Sequence, residues 1–312
     1  MLKVAGLAAL AVPVSRVERL EGLELRRRER RFVEPRDGLP KICLDAAAGG
    51  APPGAPTDEA VAVSARRIRQ LGVEHVISGG GPIPWDEGRL KAMMDRLRAE
   101  GLTLANLMIV GFPNAIYNRP GKDRDIEHVI QSIKAAGNVG LPVVEYNWYA
   151  HRAMEGYFEE TGRAGAGWTG FDYARMKDLP PLPEEGAHTL DEMWANITYF
   201  LKAVVPEAEK AGVRLALHPN DPPAPLSRGS QQIMGTIDGW KKLVGIVDSP
   251  SNGITFDCGV TREMNGDPVD VCRWFASRDR INHVHFRNVK VQNRTNATRK
   301  SSSTKARTTC SR

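Results

Sequence analysis

The chain has 312 residues, 41% apolar and 26% charged, enough for one large α/β domain or two smaller ones with a sizeable core. No run approaches the roughly 18 apolar residues that a membrane span needs, and Cys43, Cys258, Cys272 and Cys310 form no CxxC pair, so neither a membrane protein nor a disulfide framework is expected. The net charge of +6 resides in residues 291–312, which hold six basic residues and no acidic one; without a basic face interleaved with aromatics, a nucleic-acid partner is not expected.

Residues 1–39 form an apolar and basic N-terminal segment. Met1 to Ser15 is similar to the apolar core of a bacterial export signal, the part that follows the arginine pair of a twin-arginine leader, but the pair is absent. Two readings stay open: export from an upstream start, or a cytoplasmic protein as encoded. Arg26 to Arg31 reads as a solvated charge run.

From Lys41 the pattern alternates. Ile42–Asp45 reads as a strand, and Thr57 caps an amphipathic helix to about Leu71. His75–Gly79 is the second strand, Trp85–Glu100 a helix closed by Gly101, and Leu102–Phe112 contains the third strand. Arg124–Ala136 is helical and Val143–Trp148 is the fourth strand, with Glu145 and Asn147 on one face by the period of two. Residues 149–187 then carry no sustained periodicity, are too long for a βα loop, and read as a lid at a strand's carboxyl end. Regularity resumes with a helix from Leu190 to about Lys210, the strand ending at His218, a helix over Asp238–Val247, the strand ending at Cys258, a helix over Val269–Ser277 and the strand ending at His285.

Seven strands alternating with helices predict a parallel α/β sheet, in a barrel rather than a doubly wound arrangement, with its active site at the strands' carboxyl ends. No glycine-rich dinucleotide fingerprint follows the first strand, and Gly79-Gly-Gly81 is too loose to claim phosphate. Three apolar runs end on His218, Cys258 and His285, which on neighbouring parallel strands would share one rim. Thiolate plus imidazoles suits Zn, Fe or Mn and not Mg or Ca. The bland alternatives are a buried hydrophobic cysteine and a His218 that merely ends its strand. His283, one step deeper than His285, reads as a core or supporting histidine, and His75, His128, His151 and His188 as surface or structural residues.

His218-Pro-Asn-Asp-Pro-Pro223, Phe256-Asp-Cys-Gly-Val-Thr-Arg-Glu-Met264 and Val284-His-Phe-Arg-Asn288, together with Gly162–Tyr173 and Arg228–Gly235, resemble the mannonate dehydratase family across roughly residues 40–290. The resemblance implies a xylose-isomerase-like (β/α)8 TIM barrel at 40–290, with 149–187 as its lid. It implies a hydro-lyase that removes water from D-mannonate to give 2-keto-3-deoxy-D-gluconate, in glucuronate catabolism. Manganese, or iron, is the implied cofactor, held by His218, Cys258 and His285; the partner is a small sugar acid, with self-association open. Arg287 is then a clamp for the substrate carboxylate or a rim ion pair. Asn147, Asn220 and Asp221 are candidates for sugar hydroxyls, Arg163 and Tyr173 for residues descending with the lid, and Glu145 for orienting a ligand.

The pattern departs from the family after Lys290. There the family supplies an eighth strand with an Asp metal ligand and its candidate acid and base groups. Residues 291–312 instead read as a basic disordered tail, either a shifted reading frame or a genuine tail, which predicts an incomplete barrel of about seven βα units and little activity. A sugar isomerase or epimerase on the related barrel, and a truncated sugar-acid-binding relative without turnover, stay open as alternatives.

Overall fold

Thr57 caps the first helix as predicted: its hydroxyl accepts the Ala60 amide hydrogen at 3.2 Å and opens helix α1 (Asp58–Gln70). Asp58 and Glu59 in the first turn and Arg67 and Arg69 in the last complement the helix dipole. Val61, Ala65 and Ile68, spaced four and three apart, turn one stripe inward. The computed structural model describes residues 40–46, 57–293 and 297–301. The chain divides into two compact units, Met1–Lys41 and Ile42–Arg312, and the architecture below is that of the second. The expectations for residues 1–39 and 302–312 lie outside the described residues.

In chain order the strands are β1 (Cys43–Asp45), β2 (His75–Gly79), β3 (Thr103–Ile109), β4 (Val143–Tyr146), β5 (Tyr157–Thr161), β6 (Gly167–Asp172), β7 (Arg214–Leu217), β8 (Leu226–Ser227), β9 (Ser230–Gln231), β10 (Asn252–Asp257), β11 (Ile281–His285), β12 (Asn288–Asn293) and β13 (Ala297–Ser301). The helices between them are α2 (Glu87–Ala99), α3 (Pro113–Tyr117), α4 (Lys122–Asn138), α5 (Leu190–Ala211), α6 (Ile237–Val244), α7 (Cys258–Glu263) and α8 (Pro268–Ala276). None of the described helices is long and apolar enough to cross a membrane.

Seven strands form one parallel sheet in the order β1-β2-β3-β4-β7-β10-β11, the curled wall of a barrel. Among the described residues β1 and β11 are its edges, as the seven-strand reading predicts. The edge strand β11 leaves Val284 39% exposed and Phe286, just past it, 42% exposed. Helices cover the outer face. The longest, α5, starts at a capping box in which Thr189 and Glu192 satisfy each other's backbone, and it ends at Gly212, whose φ of 67° suits a residue without a Cβ. At Gly137 of α4 a Cβ would stand 2.4 Å from the Ala211 carbonyl oxygen, so that crossing also requires glycine.

The segment 149–187 is not aperiodic throughout. β5 and β6 form a hairpin within it, and together with β12 and β13 they make a four-stranded antiparallel sheet in the order β12-β13-β6-β5. This corrects the disordered reading of the tail over 291–293 and 297–301. Those residues have no large apolar side chain after Val291, but ladder hydrogen bonding needs only backbone, and β6 supplies a partner edge.

Candidate metal centre

β10 ends one residue earlier than the sequence suggests. Asp257 Oδ1 accepts the Val260 amide hydrogen at 2.8 Å and caps α7, so Cys258 is the first residue of a helix and not the last of a strand. The period of two then turns Asp257 and Thr255 toward the barrel interior. Asp257 lies in register with His285, and Thr255 with His283.

His218, just past β7, places Nε2 3.0 Å from His285 Nδ1. His285 Nδ1 is also 3.8 Å from Asp257 Oδ2. One ligand atom from each of His218, Asp257 and His285 lies within 4.8 Å of the others. Cys258 joins neither of the two candidate metal groups among the described residues. The structure thus gathers two of the three expected ligands, His218 and His285, and brings Asp257 beside them where Cys258 was expected. The signal for Asp257 was already present as the residue two beyond Thr255 on an inward face, but a thiolate next to it drew the assignment.

The other group joins Glu145, His283 and His285. Glu145 is 2% exposed. Its carboxylate accepts from Thr255 Oγ1 at 2.7 Å and from Asn106 Nδ2 at 3.1 Å. Burial raises its pKa to about 7 against the opposing pull of those two bonds. Burial lowers all three histidines to about 4, helped at His285 by His218 and at His283 by His285. All three imidazoles are therefore neutral at pH 7 and free of proton competition for a cation.

Arg287 takes the ion-pair role of its two readings. Its Nε is 3.0 and 2.8 Å from the two Asp257 oxygens, Nη2 is 3.1 Å from Asp221 Oδ1 and Nη1 is 3.8 Å from Glu263 Oε1. Burial works to lower its pKa, but Asp257 and Glu263 outweigh burial and raise it. Glu263, which the sequence offered only as part of a motif, is a buried carboxyl in α7 raised to about 7 by burial, with Arg287 opposing.

The remaining candidates scatter. Asp221 faces the site through Arg287 and accepts from the Tyr157 hydroxyl at 3.3 Å. Asn220 is 1% exposed and its Oδ1 accepts the Met234 amide hydrogen at 2.7 Å, which pins its loop. Asn147 is half-buried beside Met108 Sδ at 3.5 Å. Tyr173 packs on the small apolar cluster of the insertion, and Arg163 is exposed at the tip of the β5–β6 hairpin. Neither reaches the histidine rim in this structure.

The family model for D-mannonate dehydratase (UxuA) matches residues 187–309, which include His218, Asp257, Cys258 and His285. The chain is similar to the mannonate dehydratase family over this C-terminal part. A mannonate dehydratase of Streptococcus agalactiae serotype V is 28% identical over 232 residues, 66% of each chain. One of Streptococcus equi subsp. zooepidemicus is 27% identical over 258 residues, 73% of this chain and 71% of that one. The chain thus spans just under two thirds of the first relative's length. In fold it is similar to the crystal structure of mannonate dehydratase from Streptococcus suis serotype 2, with a TM-score of 0.71 at 23% identity, covering 83% of this chain and 76% of that one. A structure of L-ribulose 3-epimerase aligns with a TM-score of 0.52 at 16% identity, over 79% of this chain and 69% of that one. The fold is that of the xylose-isomerase-like barrels.

Proposed function

We propose that the chain is a metal-assisted hydro-lyase that removes water from D-mannonate to give 2-keto-3-deoxy-D-gluconate. The observation that carries this reading is the convergence of His218, Asp257 and His285 within 4.8 Å at the carboxyl ends of three adjacent parallel strands, in a chain whose C-terminal part is similar to the mannonate dehydratase family. The donor set fits a divalent cation: two neutral imidazoles and a buried carboxylate suit Mn²⁺, the metal proposed, as well as Fe²⁺ or Zn²⁺. A bound cation would supply charge stabilisation for a carboxylate whose adjacent carbon loses a proton.

The chain's own groups set the rest. Arg287 holds Asp257 in place from the side, and Asp221 ties that arginine to Tyr157 of the insertion. Glu145 and Glu263, both raised to about 7, can hold or release a proton near neutral pH, as general acid–base chemistry requires. The insertion, sheltering this mouth, would exclude water from the reacting carbon.

With Asp257 and not Cys258 in the group, the sulfur no longer separates a lyase from an isomerase. A sugar isomerase or epimerase, whose sites rely on carboxylate and histidine, is the second reading. The incomplete barrel predicts little turnover even with Mn²⁺, and what the purified chain retains is expected on D-mannonate, read as 2-keto-3-deoxy product, and not on aldoses or ketoses; the reverse pattern selects the second reading. His218→Ala is expected to lower turnover at least about a hundredfold, the scale of a reacting centre misplaced by about 1 Å.

A further inference from the structure

The imidazole of His285 stands between two groups of ligands, and its two nitrogens face different ones. His218 decides how its protons are arranged. His218 Nδ1 is 2.7 Å from the Pro219 carbonyl oxygen, which can only accept, so His218 carries its proton on Nδ1 and presents a lone pair on Nε2. The proton in the 3.0 Å contact between His218 Nε2 and His285 Nδ1 therefore belongs to His285. Neutral His285 then has its lone pair on Nε2, which points away from the rim and toward Glu145 Oε1 at 3.5 Å.

A lone pair facing a carboxylate oxygen in a buried site repels it unless something positive lies between them. A third donor residue lies beside them. His283 Nε2 is buried without a hydrogen-bond partner, and its ring lies 5.1 Å from that of His285, nearly perpendicular at 84°. Ligand atoms of Glu145, His283 and His285 all lie within 4.8 Å of one another. Glu145 has the support expected of a metal-ligating carboxylate, since Thr255 and Asn106 each fix one of its oxygens. Its two bonds come from neutral donors, whereas Asp257 at the rim is paired with Arg287 at 2.8 Å.

We propose that Glu145, His283 and the Nε2 atom of His285 form a second, inner binding site for a first-row divalent cation, one layer deeper in the barrel than the rim. The ligand set of two imidazoles and one carboxylate suits Zn²⁺, Fe²⁺ or Co²⁺. Neutral His285 has one lone pair, so the inner and rim positions compete for it and hold one cation between them. The inner site shares His285 with the rim, but its test below requires neither an occupied rim nor the proposed reaction.

The test uses the full chain and Co²⁺ as probe, followed by visible absorption. In the double variant His218→Ala/Cys258→Ser, which disables the rim, one equivalent of Co²⁺ is expected to bind, without thiolate-to-cobalt charge transfer. Adding His283→Phe or Glu145→Gln to that background is expected to weaken binding more than about a hundredfold, beyond the loss typical of a supporting residue. Circular dichroism establishes that each variant is folded, and the two substitutions serve as independent checks because one removes an imidazole and the other only a charge. The idea is overturned if the double variant binds no Co²⁺, which would leave a proton on Glu145 as what faces His285. It is equally overturned if a folded His283→Phe or Glu145→Gln variant binds Co²⁺ within about twofold of its background, a difference too small for a lost ligand.

Discussion

The parallel wall and the antiparallel sheet of the insertion differ in what holds them together. The wall rests on a continuous apolar core in which Leu107, Leu217, Ile254 and Phe256 are at most 2% exposed. Among the described residues the insertion contributes three buried residues, Ala153, Phe171 and Met176, to a small separate cluster completed by Ala224 of the loop after β7. Its segment is tied down by charge: Glu155 lies 2.9 Å from His151 Nε2 and is also paired with Arg228, while His151 Nδ1 is 2.5 Å from Glu185. Apolar packing is insensitive to pH and salt, and ionic ties are not. One region is therefore built to hold ligands at fixed distances and the other to move locally without unfolding the first.

The largest effect that would mark this contrast comes from the wall. Leu217→Ala, at a fully buried position on β7, is expected to destabilise the whole protein by about 2–5 kcal/mol, read as a shift of the urea midpoint with unchanged slope. A matching loss from Arg228→Ala would abolish the distinction between the two regions.

Next in size is the buried carboxyl of Glu263 in α7, beyond the carboxyl end of β10. Glu263, raised to about 7 from 4.5, binds a proton more tightly folded than unfolded, so its contribution is fully present below pH 4.5 and is lost as pH rises through 7. Glu263→Gln removes that loss. The variant is expected to be more stable than the parent at pH 8 by on the order of a few kcal/mol and to differ little at pH 4.5; equal differences at both values would show that Glu263 does not titrate this way.

The insertion responds with the opposite sign. Burial works to raise the Glu155 pKa, but His151 and Arg228 overcome it and lower it to about 2. The stabilisation it gives is therefore present above 4.5 and disappears as pH falls toward 2. Arg228→Ala should increase proteolysis within 149–187 at neutral pH while moving the global melt by less than about 1 kcal/mol, as for a partly exposed pair. An unchanged cleavage rate would mean that these ion pairs do not hold the segment down.

The most local effect is expected at the seam. Tyr157→Phe removes one hydroxyl bond of 3.3 Å to Asp221, worth about 0.5–1.5 kcal/mol. Hydrogen exchange should quicken in β5 and not in β10 or β11. Exchange rising equally in all three would join the insertion and the wall into one cooperative unit.

Local chemistry was legible in the sequence wherever it is short-range. Thr57 marks a helix start by a hydrogen bond to a residue three positions on, and seven apolar runs between helical periods predict a parallel curled wall because burial on both faces leaves few alternatives. His218 and His285 were found because each ends such a run. What only the tertiary structure decided is which neighbour joins them. The sequence favoured Cys258 by its chemistry, but the cap that Asp257 places on α7 ends the strand one residue earlier, and alternation then turns Asp257 inward. For Arg287 the sequence leaves a substrate clamp and a rim ion pair open, and only the fold brings Asp221, Asp257 and Glu263, from separate segments, around it. Glu145, His283 and Asn106 carry no motif at all, since their proximity arises from register between strands, a long-range property that no spacing along one chain records.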